Sequence, residues 1–420
     1  MRLWLITFGE PIPEVDAAGD RQLRTGIVAR MAAARGHQVT WWTSTFDHAR
    51  KRQRVDRDTD LSLGPGLCIR MLHAPGYQRN VSVSRLWNHR AISRAFRRLA
   101  PGGLPPDVIV CSMPTLEVSV AAVEYGRERG VPVVLDVRDM WPDIFLDLVP
   151  RWARSPGRLL LAPYFHMAQR SCRMATAVIG ITDEVVGWAL RYAGREKGER
   201  DRSFPLGYER TPPPADAIAR AEEFWAQQGI GKAPEFIVCY FGAIGNYFEG
   251  ETVVEAARYL HERGGRVRFV ICGTGDRMEA HRARAAGLPN VMFTGWIGAA
   301  EIWVLMRMAT VGLAPYVSAG GFTMSVPNKV IEYLSAGLPI VSSLQGTLAQ
   351  MLADCDCGIT YPNRNAEALA STLSTLANHP ARAREMSRKA LALYERDFVA
   401  DSVYGAMLDH LESIARRPIG

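Results

Sequence analysis

Short apolar runs separated by segments of helical period recur along almost the whole chain. In the first half they fall at 2–8, 38–44, 67–73, 108–112, 132–138 and 177–182. They are continuous rather than alternating, as strands buried on both faces of a parallel sheet are. Helical patterns lie between them; the one at 21–35 stops at Arg35-Gly36, with glycine where a helix C-cap favours it. At 195–216 the pattern breaks into a charged and then Pro- and Gly-rich stretch, which predicts a domain boundary near 205–215. Apolar runs resume at 236–242, 266–273, 291–296, 311–316, 339–343 and 358–361, again with helical segments between them, and 380–416 reads as helix throughout. Repeated strand–helix–strand order predicts an α/β chain of two Rossmann-like, doubly wound domains facing across a cleft. The expected divisions are an acceptor-side domain at 1–205, a donor domain at 206–385, and a helical segment at 386–420 that crosses back to brace the first domain. In such folds ligands bind at the carboxyl ends of the strands.

Length agrees with this division, since 420 residues exceed one ordinary α/β core. Charge is uneven. Residues 1–205 carry 30 Lys and Arg against 21 Asp and Glu, whereas the remainder carries 20 against 22. The first domain is therefore the one drawn to an anionic ligand or surface. An odd cysteine count, seven, with Cys111, Cys239 and Cys272 inside strand-like runs, predicts reduced core thiols and a cytoplasmic setting. Cys355-x-Cys357 has no partner pair, so no zinc site is expected. The N-terminal apolar run is too short for a secretory signal, and the runs at 108–123 and 302–316 fall short of a bilayer span.

The segment 318–343, SAGGFTMSVPNKVIEYLSAGLPIVSS, carries the most chemistry. Gly320 and Gly321, next to Phe322, follow a strand and let the backbone approach a ligand closely. Pro327 suits a first helical turn. The helix beginning at Asn328 then presents free amides as an anion site, with the Lys329 charge beside them. Glu332 lies one turn on, placed to accept paired hydrogen bonds from a ribose diol.

PNKVIEYLSAGLPIVSS resembles the donor-binding helix of the retaining, two-lobed (GT-B) glycosyltransferases of family 4, in particular those that build bacterial O-antigen, capsule and exopolysaccharide repeats. The resemblance implies that Glu332 holds the nucleotide ribose and that Gly320, Gly321, Phe322, Asn328 and Lys329 hold the diphosphate and sugar. Many members carry a second glutamate eight residues before the first, where this chain has Met324. They also carry a basic pair after the first strand of the second domain, where this chain has Gly242-Ala243-Ile244-Gly245-Asn246-Tyr247, and Gly242 is expected among the donor-binding residues. More of the diphosphate charge is then expected on Lys329 and the helix amides. Gly273-Thr274-Gly275 is expected to lie near the nucleotide base, and Gly19, opening the helix at 21–35, near the donor phosphates. In DVRDMWPD (136–143), Arg138 and Asp139 match the pair that faces the transferred sugar. They are the candidate catalytic residues; the competing reading is an Asp136–Arg138 structural pair and an Asp139 helix cap.

The implied function is transfer of a sugar from a nucleotide diphosphate sugar, UDP-linked in most of the family, to a lipid-linked or glycan acceptor. It needs no metal and no cofactor beyond that co-substrate. Two alternatives stay open: a nucleotide-sugar 2-epimerase of the same fold, and a non-catalytic sugar-nucleotide-binding partner. A nicotinamide dehydrogenase is disfavoured by the incomplete glycine fingerprint. Residues 85–98, RLWNHRAISRAFRR, read either as a basic helix docking on anionic membrane at the cytoplasmic face or as a surface helix with its apolar side in the core. No nucleic-acid recognition motif accompanies the arginines.

Overall fold

The computed structural model describes residues 1–16, 21–79, 82–147, 149–231, 235–318 and 320–416. The chain separates into two compact units, one of Met1–Gly207 with Ala400–Gly420 and one of Tyr208–Val399.

Unit 1 is built on an eight-stranded sheet. Its strands are β1 (Arg2–Ile6), β2 (Gln38–Ser44), β5 (Thr59–Ser62), β6 (Leu67–Leu72), β7 (Val108–Met113), β8 (Val133–Val137), β9 (Ala177–Gly180) and β10 (Arg202–Ser203), with a separate two-stranded ribbon, β3 (Phe46–Asp47) and β4 (Arg52–Gln53). The order is β10-β9-β8-β7-β1-β2-β6-β5, parallel except for the β5–β6 edge pair. The helices are α1 (Arg24–Ala34), α2 (Val83–Leu99), α3 (Leu116–Arg129), α4 (Asp143–Asp147), α5 (Arg154–Leu160), α6 (Ala162–Met174) and α7 (Asp183–Ala193).

Unit 2 opens with α8 (Ala215–Gln227). Its six parallel strands are β11 (Phe236–Phe241), β12 (Val267–Cys272), β13 (Val291–Gly295), β14 (Val311–Ala314), β15 (Ile340–Ser342) and β16 (Gly358–Thr360). Their order, β13-β12-β11-β14-β15-β16, is that of a doubly wound sheet. Its helices are α9 (Gly250–Glu262), α10 (Met278–Arg284), α11 (Ala299–Met308), α12 (Gly320–Thr323), α13 (Asn328–Ser335), α14 (Thr347–Cys355), α15 (Ala366–Asn378) and α16 (Pro380–Asp397). The topological switch lies between β11 and β14, where the chain winds first one way and then the other. A crevice at the carboxyl ends of those two strands follows from the topology alone.

The long C-terminal helix expected at 380–416 is two helices, broken at Phe398-Val399, the second being α17 (Ala400–Ala415). The chain changes unit there, and not at 385. α16 stays with unit 2, where Arg382 and Lys389 pair with Asp356 at the end of α14. α17 returns to unit 1 and buries Val403, Tyr404, Met407, Leu408, Leu411 and Ile414 in the same core as β1, β2 and α1. Polar ties fix its register: the Tyr404 hydroxyl accepts from Gly207 N at 2.8 Å, and Arg35 pairs with Asp409 at 2.6 Å. Leu408→Ala should cost about 2–5 kcal/mol by leaving a cavity in this core. Amide exchange should then quicken in α1 and β1 while unit 2 amides keep their protection.

Candidate functional site

In unit 2 the site grows from the ends of β11 and β14. After β11 the backbone turns at Gly242 with φ +144°, a conformation that L side chains rarely adopt. A Cβ there would also strike the ammonium of Lys329. The missing side chain therefore makes room for the lysine. Lys329 Nζ lies 3.7 Å from the centre of the Tyr240 ring and 5.1 Å from that of Tyr316, the first on β11 and the second just after β14. Cation–π attraction favours the charged amine in that position. Crowding by protein works the other way: burial lowers the Lys329 ammonium from its ordinary value to about 7, and the negative charge of Glu332 opposes the drop.

Lys329 sits in the first turn of α13. Pro327 caps that helix in extended conformation, and no side chain closes its start. The first amides of a helix have no intrahelical partner and carry its positive end, so that end lies at the turn that carries the lysine. Asn328 is exposed there and Glu332 is partly buried one turn on. Gly320 and Gly321 belong to α12, a single helical turn. Phe322 on that turn packs against Tyr247 at 4.8 Å and Tyr316 at 5.6 Å between ring centres. An aromatic row thus joins the loop after β11, α12 and the lysine cage. Met324 follows directly after α12.

Gly273 and Gly275 are explained by backbone packing. A Cβ on Gly273 would strike Gly242 O, and one on Gly275 would strike Ile244 O. Ile244 N donates to Thr274 O at 2.9 Å, and Gly273 N to Gly295 O at 2.7 Å. The Gly-x-Gly strip is wedged between two neighbouring loops and fixes the path of the backbone at Gly242.

A second layer of positioning was not legible in the sequence. Asn363, after β16, donates to Tyr316 O at 2.8 Å and to the Glu249 carboxylate at 2.9 Å, and accepts from Ser318 N at 3.2 Å. Glu249 is buried and also accepts from Arg364 N at 3.2 Å. Burial raises its carboxyl, and those hydrogen bonds oppose the rise. Three loops are in this way tied behind Tyr316. Nothing in a lone Asn or Glu outside a motif signals such a role.

In unit 1 the carboxyl ends of β1, β7 and β8 meet in a hydrogen-bonded ionic cluster. Arg138 donates from Nε to Asp136 at 2.8 Å, from Nη1 to Glu10 and from Nη2 to Thr25 Oγ1 at 2.9 Å. Arg24, in the first turn of α1, is fully buried; it faces Asp136 at 3.0 Å and donates to Phe204 O at 2.6 Å. Two guanidiniums thus face two carboxylates, and the cluster is neutral as a whole. The charges of both arginines hold Asp136 below the usual carboxylate range although burial pushes it up. Asp136 and Glu10 together raise the Arg138 guanidinium, against its burial. Glu10 also accepts from Thr25 N at 3.0 Å, and Thr7 and Ser112 share a 2.8 Å hydrogen bond across β1 and β7. Arg138 has three donor positions engaged within the protein, which is the structural pairing weighed from the sequence, extended to four charged residues. Glu10 and Arg24 were missed. Arg24 was visible only as a cation at a helix start, where the helix dipole disfavours one.

Asp139 lies apart from that cluster. It reaches solvent but is crowded on its remaining sides, and this desolvation raises its carboxyl to about 6, with the Arg85 charge opposing the rise. It does not cap α4, which begins four residues later; Asp143 of the same motif instead accepts from Trp188 at 2.8 Å and Tyr192 at 2.6 Å on α7. Gly19 lies outside the described residues.

A family profile described as Glycosyl transferases group 1 matches residues 235–379, and one described as Glycosyl transferase 4-like domain matches residues 23–227. The chain belongs to the family 4 glycosyltransferases. Its two units are the paired Rossmann-like domains of the GT-B fold. Among its relatives, the amylovoran biosynthesis glycosyltransferase AmsK of Erwinia amylovora is 28% identical over 39% of this chain and 41% of its own. A phosphatidyl-myo-inositol mannosyltransferase of Mycobacterium leprae is 26% identical over 52% of this chain and 55% of its own. The chain thus spans about half the length of these curated relatives. Among solved structures, Anabaena HepE in complex with UDP and glucose has a TM-score of 0.65 at 15% identity, covering 98% of this chain and 100% of that one. The glycosyltransferase has no helix long and apolar enough to cross a membrane among its described residues.

An anion bound beside Lys329 requires the ammonium form, and the free amine titrates at about 7. Affinity for a nucleoside diphosphate should therefore be full below pH 7 and fall as pH rises through that value, by at most about tenfold per unit. Calorimetric titration with UDP from pH 6 to 9 should show this decline in the wild type, and Lys329→Met should bind more weakly with a flatter profile. An equal slope in both proteins would assign the ionisation to another group.

Proposed function

We propose that this glycosyltransferase moves a sugar, with retention at the anomeric carbon, from a UDP-linked donor held by unit 2 to a lipid-linked or glycan acceptor in bacterial surface-polysaccharide synthesis. The observation that carries this reading is the convergence of the Lys329 ammonium with the open start of α13 at the β11/β14 switch point. That placement suits a diphosphate, and Glu332 follows one turn on, where its carboxylate can accept from a ribose diol. The UDP bound by HepE supports the choice of nucleotide. The names of AmsK and of the mannosyltransferase support a polysaccharide or lipid-borne acceptor.

The chemistry follows from charge. As the bond between the anomeric carbon and the diphosphate oxygen breaks, negative charge grows on the leaving group and positive charge on the sugar. Lys329 and the α13 amides face the first of these, preorganised and poorly hydrated, where electrostatic stabilisation is strongest. The acceptor oxygen attacks from the face that the diphosphate leaves, and its proton passes to the departing phosphate. Because these protein groups meet the growing charge, the reaction proceeds without a metal. Asp139 serves the transferred sugar as a hydrogen-bond acceptor, while Arg138 and its carboxylate partners hold the surrounding loops. The enzyme works in the cytoplasm, with residues 85–98 in peripheral contact with anionic lipid.

Glu332→Ala should weaken UDP binding by about 1–3 kcal/mol through the lost ribose bonds. Unchanged UDP affinity in that variant would reject the assignment. Transfer should survive prolonged treatment with EDTA, and dependence on added divalent cation would remove the metal-free part of the reading.

A further inference from the structure

Unit 1 carries an unusual apolar surface. Trp152 is 81% exposed, Leu159 80% and Leu160 81%, all on or beside the short helix α5. Trp87, on α2, is 51% exposed. Large side chains left in water to this extent and close together mark a surface with a partner.

The elements that carry these residues are neighbours. Arg90 lies 6.0 Å from the Trp87 ring and, across the helix boundary, acts electrostatically on Tyr164 in the first turn of α6. That turn begins two residues after Leu160. On the other side, Arg85 of α2 stacks over Trp141 at 4.8 Å, and Trp141 packs on Phe145 of α4 at 4.5 Å. The start of α2, α4, α5 and the start of α6 are therefore neighbours. Glu124 of α3 pairs with both Arg97 of α2 and Arg170 of α6, at 2.6 Å each.

Charge identifies the partner. Between Asp60 and Asp107 the sequence holds seven arginines and no acid, and from 148 to 182 it holds five arginines and no acid. Around the patch, Asp147 faces Arg154 at 3.8 Å, Asp143 is bonded to α7, and Glu117 is buried beneath α2 beside His89. Arg90, Arg94 and Arg158 make no ion pair among the described residues. Exposed apolar side chains on one short helix, with arginines nearby that make no ion pair among the described residues, match the acyl and headgroup layers of an anionic bilayer. Tryptophan favours the boundary between the two.

We propose that the glycosyltransferase docks on an anionic lipid bilayer through α5, with Trp152, Leu159 and Leu160 inserted among the lipids and Arg90, Arg94 and Arg158 on the headgroups. This deepens the membrane contact read for residues 85–98 and rests on it in part, since α2 supplies two of the cations. It moves the apolar anchor from α2, whose Ile92 and Phe96 are buried in the core, to α5.

The test is co-sedimentation of the full chain with vesicles of phosphatidylcholine alone or mixed with phosphatidylglycerol. The wild type should bind the mixed vesicles, lose binding as salt rises, and leave pure phosphatidylcholine largely empty. Trp152→Ser/Leu159→Ser/Leu160→Ser should bind at least about tenfold more weakly, with UDP affinity unchanged. Trp296→Ser, on an equally exposed tryptophan of unit 2, should bind as the wild type does. If Arg90→Glu/Arg94→Glu loses binding while the α5 variant keeps it, contact through 85–98 stands and the α5 anchor is wrong. Absence of binding by the wild type, equal binding to both vesicle types, or a wild-type dimer that the α5 variant dissociates would each overturn the proposal.

Discussion

The Lys329 ammonium rests over the Tyr240 ring and occupies the space where Gly242 would otherwise carry a Cβ. This placement constrains the carboxyl edge of unit 2 from several sides. Gly242 must stay bare. The strip at Gly273 and Gly275 must let the Gly242 loop pass close by, so it is glycine too. Tyr316 must keep its ring near the lysine, and Asn363 with Glu249 ties the backbone there. The ammonium is also short of water, so it holds its proton weakly until a negative ligand arrives. A poorly solvated cation beside a helix start is costly in the empty protein and well matched to a diphosphate.

Unit 1 solves a similar problem by neutralisation. Its strand ends bring two arginines and two carboxylates together under protein, and their charges cancel in pairs. Breaking one pair would leave an uncompensated buried charge, which makes the cluster a fixed point for the loops after β1 and β8. The same arrangement leaves Arg138 little freedom to follow a substrate. Asp139, outside the cluster and raised toward neutrality, is the more adaptable group.

The framework was legible in the sequence because buried parallel strands announce themselves as continuous apolar runs. All six runs assigned in the second half became strands of one sheet, and the six in the first half likewise. The edge strand β5 escaped because its exposure alternates and its residues, TDLS, are largely polar. The break at Phe398-Val399 escaped because both flanking helices keep an apolar period, and only the change of packing partner separates them. The segment proposed to hold the donor stands out in the sequence because its spacing is local, within one loop and one helix. The ionic cluster was not: Glu10, Arg24 and Asp136 are far apart in sequence, and only sheet order makes them neighbours. Gly273 and Gly275 were assigned to a ligand, yet the backbone of the next loop already accounts for them.

A Lys329 that meets the nucleoside diphosphate as its ammonium must take up a proton when the ligand binds at a pH above about 7. Calorimetry of UDP binding at pH 8 in two buffers of different ionisation enthalpy measures that change directly. Uptake of close to one proton by the wild type, and of almost none by Lys329→Met, is the predicted result. The same uptake in both proteins, or none in the wild type, would contradict it.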